Sequence, residues 1–133
     1  MLETKKIVEI IRKQVPLVVG IYQFGSFATK YETPESDLDL AFLAKRKTTP
    51  IERWQLAEKI ATMIGRDVHL VDLLEAPSTL IVQIIDSSNR IYCNDTYYCD
   101  FFETVALTEY LLLQERLAPL HNEIKKRGRV TDG

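Results

Sequence analysis

The stretch LVVGIYQFGSFATKYETPESDLDLAFL, residues 17–43, decides how this chain is read. Leu17 to Phe24 is β-branched and aromatic, the composition of a buried strand. Gly25 and Ser26 interrupt it, and Thr33-Pro34-Glu35-Ser36 carries turn chemistry. From Leu38 to Leu43 the apolar Leu38, Leu40 and Phe42 alternate with Asp37, Asp39 and Ala41, which predicts a second strand with its leucines toward the core. Residues two apart on a strand share a face, so Asp37 and Asp39 stand side by side. Two adjacent carboxylates repel each other and are costly without a cation between them. Hard oxygen donors favour Mg²⁺, which takes one or two carboxylates and leaves the rest of its shell to water and substrate phosphates. Gly25 lets backbone approach a phosphate closely. Backbone N–H groups at a helix start favour an anion, and the Ser26 hydroxyl adds a donor. A solvated strand edge would explain the aspartates alone, and a plain N-cap would explain Ser26 alone. Neither explains the set.

Working outward, Leu2 to Gln14 places Ile7, Ile10 and Ile11 at helical spacing, and Pro16 ends that helix. Thr49-Pro50 opens a second helix, closed by Gly65, whose expected apolar face is Trp54, Ala57, Ile60, Ala61 and Ile64. Arg66 to Leu73 reads as a third strand, Pro77 to about Ile85 as a helix, and Asn89 to Tyr92 as a fourth strand. Asp95 to about Lys126 reads as one long helix or two broken near Pro119. The order predicts an α/β (α+β) fold: a small mixed sheet of about four strands with helices packed on it. Residues 1–127 are expected to form one domain, with 128–133 a frayed tail.

Asp72, at the end of the third strand, is the candidate third carboxylate. If its strand neighbours that of Asp39, three carboxylates converge and can hold two metal ions. The alternation is untidy: Asp72 shares a face with Val68 and Leu70, while Asp67 and His69 point the other way. His69 is expected to be a hydrogen-bonded structural histidine, Trp54 a core residue, and Tyr97, Tyr98 and Tyr110 packing residues. Tyr22 or Tyr31 could border a bound nucleotide. Leu111, Leu112 and Leu113 cannot all face one core, so the long helix either buries two faces or offers a surface to a partner.

Formal net charge is -2, which leaves no whole-protein basic field for nucleic acid. Lys125, Lys126, Arg127 and Arg129 form a local basic patch, read as a solvated helix end. The chain opens on polar and charged residues without a signal-peptide pattern, and no apolar run approaches the roughly 20 residues of a membrane span. A cytoplasmic protein with reduced thiols is expected. Its two cysteines, Cys93 and Cys99, fit no metal motif.

Gly25-Ser26, ten residues, then Asp37-Leu38-Asp39 gives the spacing G-S-x₁₀-D-x-D. Four fixed positions recur by chance in roughly a few per thousand chains of this length. The motif resembles the signature of the DNA-polymerase-β-like nucleotidyltransferase superfamily. The flanks, with DVHLVDL downstream, are similar to the minimal nucleotidyltransferases, a group that includes the MntA-like antitoxins encoded beside HEPN-domain toxins. The resemblance covers about Leu17 to Tyr92 and implies a polymerase-β-like fold. It matches Gly25 and Ser26 to the phosphate-binding pair, Asp37 and Asp39 to the metal pair, and Asp72 to the third acidic position. Many relatives carry an arginine shortly after the Gly-Ser-Phe run; Lys30 is the nearest basic residue here.

The resemblance further implies Mg²⁺, as two ions, and ATP as substrate. It implies transfer of AMP to a tyrosine hydroxyl of a HEPN toxin partner, with no direct role for nucleic acid or membrane. Two alternatives stand beside it. One is a binding module that neutralises its partner by occlusion. The other is a nucleotidyltransferase for a small acceptor such as an aminoglycoside, for which 133 residues leave little room.

Overall fold

The structure, a computed structural model, describes residues 2–25 and 37–132, with side chains described for 3–25 and 37–120. Helix α1 (Leu2–Gln14) turns Ile7 and Ile11, one turn apart, into the core. Strand β1 (Val18–Phe24) follows and pairs antiparallel with β2 (Leu38–Ala44), Phe24 lying opposite Asp39. A register shift between Val18 and Gly20 lets both Val18 and Ile21 face the same core despite their odd separation.

Helix α2 (Pro50–Ile64) opens on a reciprocal capping box. The Thr49 hydroxyl accepts from the Glu52 N–H at 3.1 Å, and the Glu52 carboxylate accepts from the Thr49 N–H at 3.0 Å. Gly65, at φ 73°, closes the helix in the left-handed conformation that glycine adopts without strain. This crossover returns the chain so that β3 (Val68–Asp72) lies parallel to β2. Helix α3 (Ser78–Ser87) then carries the chain to the other edge, where β4 (Asn89–Cys93) pairs antiparallel with β1. The strand order is β3-β2-β1-β4, a mixed four-stranded sheet. Helix α4 (Thr96–Asp132) is one helix with Pro119 inside it, and its backbone is helical to Asp132, where the sequence predicts a frayed end from Gly128.

Helices α1 and α2 cover one face, packing Ile7, Ile11, Leu56 and Ile60 on Ile21, Leu38, Leu40 and Phe42. Helices α3 and α4 cover the other, packing Ile81, Ile84, Cys99 and Ala106 on Val19, Tyr22, Ala41 and Leu43. Strand β2 is thus buried on both faces, and Asp39 is its one residue that is not.

Trp54 corrects the expected face of α2. It is 65% exposed, while Leu56 and Ile60 are the buried residues. Positions 54 and 56 lie about 200° apart around a helix, so a stripe centred on Leu56 and Ile60 turns Trp54 to the surface.

Candidate active site

Asp37 precedes β2 and Asp39 is its second residue. Asp39 shares the face of Ala41 and Leu43, but at the N-terminal end of the strand its side chain stays 22% exposed and that of Asp37 48%. Burial raises the Asp39 carboxyl pKa above the ordinary carboxylate value; the His69 ring opposes the rise and the Asp37 charge adds to it. Gly25 closes β1 directly against this carboxylate. Its φ is 70°, and a Cβ there would fall 2.1 Å from Asp39 Oδ2, so both its backbone and its neighbour require glycine.

On the other flank stands His69, the β3 residue opposite Asp39. Its Nε2 lies 3.4 Å from Asp37 Oδ2 and its Nδ1 3.4 Å from Asp39 Oδ1, and its side chain is 65% exposed. The sequence predicts a structural histidine here, but the ring belongs to the carboxylate cluster. A signal for this was present: Asp67 and His69 alternate away from Asp72, and a parallel register that opposes Asp39 to His69 brings that face to the site.

Asp72 is not brought to this cluster. It lies opposite Phe42, three residues further along the ladder, and is 2% exposed. Its Oδ2 accepts from the Thr48 N–H at 2.9 Å and the Thr48 hydroxyl at 2.8 Å, and its Oδ1 accepts from the Leu74 N–H at 3.0 Å. Arg53 Nη1 stands 4.0 Å away. These bonds tie the entry of α2 to the exit of β3. Asp72 is therefore a structural carboxylate, and the expected convergence of three acids fails because Asp72 lies toward the far end of its strand.

Ser26, Lys30 and Tyr31 lie outside the described residues. Tyr22 is buried, and its hydroxyl donates to Glu103 at 2.9 Å, so it packs beneath α4 and does not border the site. Burial and the Glu103 charge push that hydroxyl far above its usual pKa. Arg90 joins Glu103 and Asp100 beside it.

Among the described residues no three His, Cys, Asp or Glu side chains are arranged to hold a metal ion. The donor set is the Asp37 and Asp39 pair, two hard oxygen groups beside a space that a Cβ at residue 25 would fill. That set fits Mg²⁺, which needs few protein carboxylates when phosphates complete its shell.

Residues 5–97 match the family model described as polymerase beta, nucleotidyltransferase. The chain belongs to that family. Within the nucleotidyltransferases, the protein adenylyltransferase MntA of Shewanella oneidensis is 35% identical over 91 residues, covering 68% of this chain and 66% of the relative. That match spans about two thirds of MntA's own length. Among solved structures, a chain of a toxin–antitoxin crystal structure with AMP-PNP superposes with a TM-score of 0.84 at 29% identity, over 92% of this chain and 98% of that one. A chain from the structure of tri-AMPylated Shewanella oneidensis HEPN toxin in complex with MNT antitoxin gives 0.79 at 28% identity, over 93% and 97%. The four-stranded sheet and its helices are thus the polymerase-β-like nucleotidyltransferase fold.

Proposed function

We propose that this chain is a Mg²⁺-dependent protein adenylyltransferase. It moves AMP from ATP to a tyrosine hydroxyl of a HEPN-type toxin and so acts as the antitoxin. The observation that carries this reading is the pairing of Asp37 and Asp39 at the open end of β2, with Gly25 at φ 70° against Asp39. The relatives supply the chemistry: one is a protein adenylyltransferase, another structure holds an ATP analogue, and a third a tri-AMPylated HEPN toxin.

In the transfer the acceptor oxygen bonds to the α-phosphorus as the bond to the bridging oxygen breaks. Pyrophosphate leaves with the electron pair, and the hydroxyl proton passes to water. Asp37 and Asp39 would hold Mg²⁺, which when bound supplies positive charge to the phosphate and acceptor oxygens. Gly25 gives the triphosphate close access to the carboxylates, with Ser26 and Lys30 proposed as its further contacts. His69, not Asp72, stands in the third position.

The exposed apolar residues of α4, among them Tyr97, Phe101, Leu107, Leu111 and Leu112, support a protein partner, because such a surface is costly in water. They also favour a second reading, neutralisation by occlusion.

One experiment separates the two. The chain is co-purified with its partner and incubated with labelled ATP and Mg²⁺, beside an Asp37→Ala/Asp39→Ala control. A mass gain of one or more AMP units on the partner, absent in the control, is the expected result. Full neutralisation by the control, with no mass gain in the wild type, would establish occlusion instead.

A further inference from the structure

Transfer at phosphorus sets the attacking and leaving oxygens roughly in line, on opposite sides of the group transferred. The strand order separates those two sides here. Gly25 ends β1, on one flank of β2, and β3 forms the other flank. With the triphosphate on the Gly25 flank, pyrophosphate leaves toward β1 and the acceptor must arrive over β3.

A cleft of about 540 Å³ opens beside Asp37 where the chain enters β3, on the sheet face that α2 covers, lined by Asp37, Glu58, Thr62, Gly65, Arg66 and Asp67. It begins at a carboxylate of the site and extends along the C-terminal half of α2 and the turn into β3. It is a shallow groove, open to solvent over most of its extent, of a kind a peptide can lie across. Its lining is acidic: with Asp37 taken by a cation, Glu58 and Asp67 still outnumber Arg66.

We propose that this cleft seats the acceptor polypeptide, and that it selects a segment with lysine or arginine beside the modified hydroxyl. The inference rests on the adenylyltransfer reading for its substrate and on the cleft's own charge for its selectivity.

The test uses the intact chain with Mg²⁺, a non-hydrolysable ATP analogue and two short fluorescent peptides. Each peptide carries one tyrosine, flanked by lysines in one and by glutamates in the other, and binding is read by anisotropy. The lysine-flanked peptide is expected to bind more tightly. Glu58→Lys and Thr62→Lys, both at exposed helix positions, should each weaken it by about tenfold or more. Glu109→Lys makes the same charge change as Glu58→Lys on α4 and should leave binding unchanged, and a melting curve checks each fold. Equal weakening by Glu58→Lys and Glu109→Lys, weakening by Glu109→Lys alone, equal binding of the two peptides, or no binding of either overturns the cleft. A second readout, labelled AMP on the lysine-flanked peptide from true ATP, judges the reaction separately. Binding with the predicted variant pattern but no transfer keeps the cleft and sinks the adenylyltransfer reading.

Discussion

Burial raises the carboxyl pKa of Asp39, so the folded state holds that proton more tightly than the unfolded chain does. For an acid this sign means a loss of stability above its unfolded pKa, relieved as pH falls through the raised folded value. Asp39→Asn removes the charge and its repulsion from Asp37. The expected outcome at neutral pH is a higher melting temperature together with loss of AMP transfer, a trade common at functional sites. Asp72 behaves oppositely. It is a buried carboxylate bonded by Thr48 and Leu74 and paired with Arg53, and Asp72→Ala leaves the Thr48 and Leu74 donors without their acceptor and the guanidinium without its counter-charge. A loss of about 3–5 kcal/mol in denaturant unfolding is expected, with transfer per folded molecule largely kept. If Asp72→Ala instead abolished transfer without loss of stability, its structural assignment would be wrong. The juxtaposition of Asp37 and Asp39 was legible because i, i+2 spacing on a strand is a local property. The third position was not, because which residue of β3 opposes Asp39 is set by register, and register is a tertiary outcome.

Helix α2 shows what element-level signals carry. Its ends were written locally, in Thr49-Pro50, Glu52 and Gly65, and all three form the caps their types favour. Its apolar face was not, since Trp54 and Leu56 are both apolar and only the packing of α1 and the sheet chooses between them. Loss of the cap by Thr49→Ala should cost about 1 kcal/mol in denaturant unfolding. Hydrogen bonds from Thr49 hold the Glu52 carboxyl below its ordinary 4.5. A lowered acid contributes its stability above the unfolded value and loses it as pH falls through the folded one. Wild type and Glu52→Gln should therefore converge in stability on acidification below 4.5, whereas the Thr49→Ala gap, set by the hydroxyl that accepts from the Glu52 N–H, should persist; a Glu52→Gln gap unchanged at pH 3 would discount the box. The start of long helix α4 was legible, but its continuity through Pro119, its end and the fate of its surplus leucines were not: Leu111 and Leu112 are exposed, with Leu113 half-buried.

Across the whole molecule, the sheet is asymmetric in how firmly its strands are held. Strand β2 has partners on both sides and helices over both faces, whereas β3 and β4 are edges. Amide hydrogen exchange should rank accordingly, with Leu40 to Leu43 slowest and β4 faster; equal protection across the sheet would contradict this ranking. Asp39 lies in, and Asp37 directly before, the strand expected to open last. Partial opening of the β4 edge or of α4 therefore leaves the spacing of Asp37 and Asp39 intact, and the exchange-slow strand serves as the fixed datum from which a partner's approach is measured.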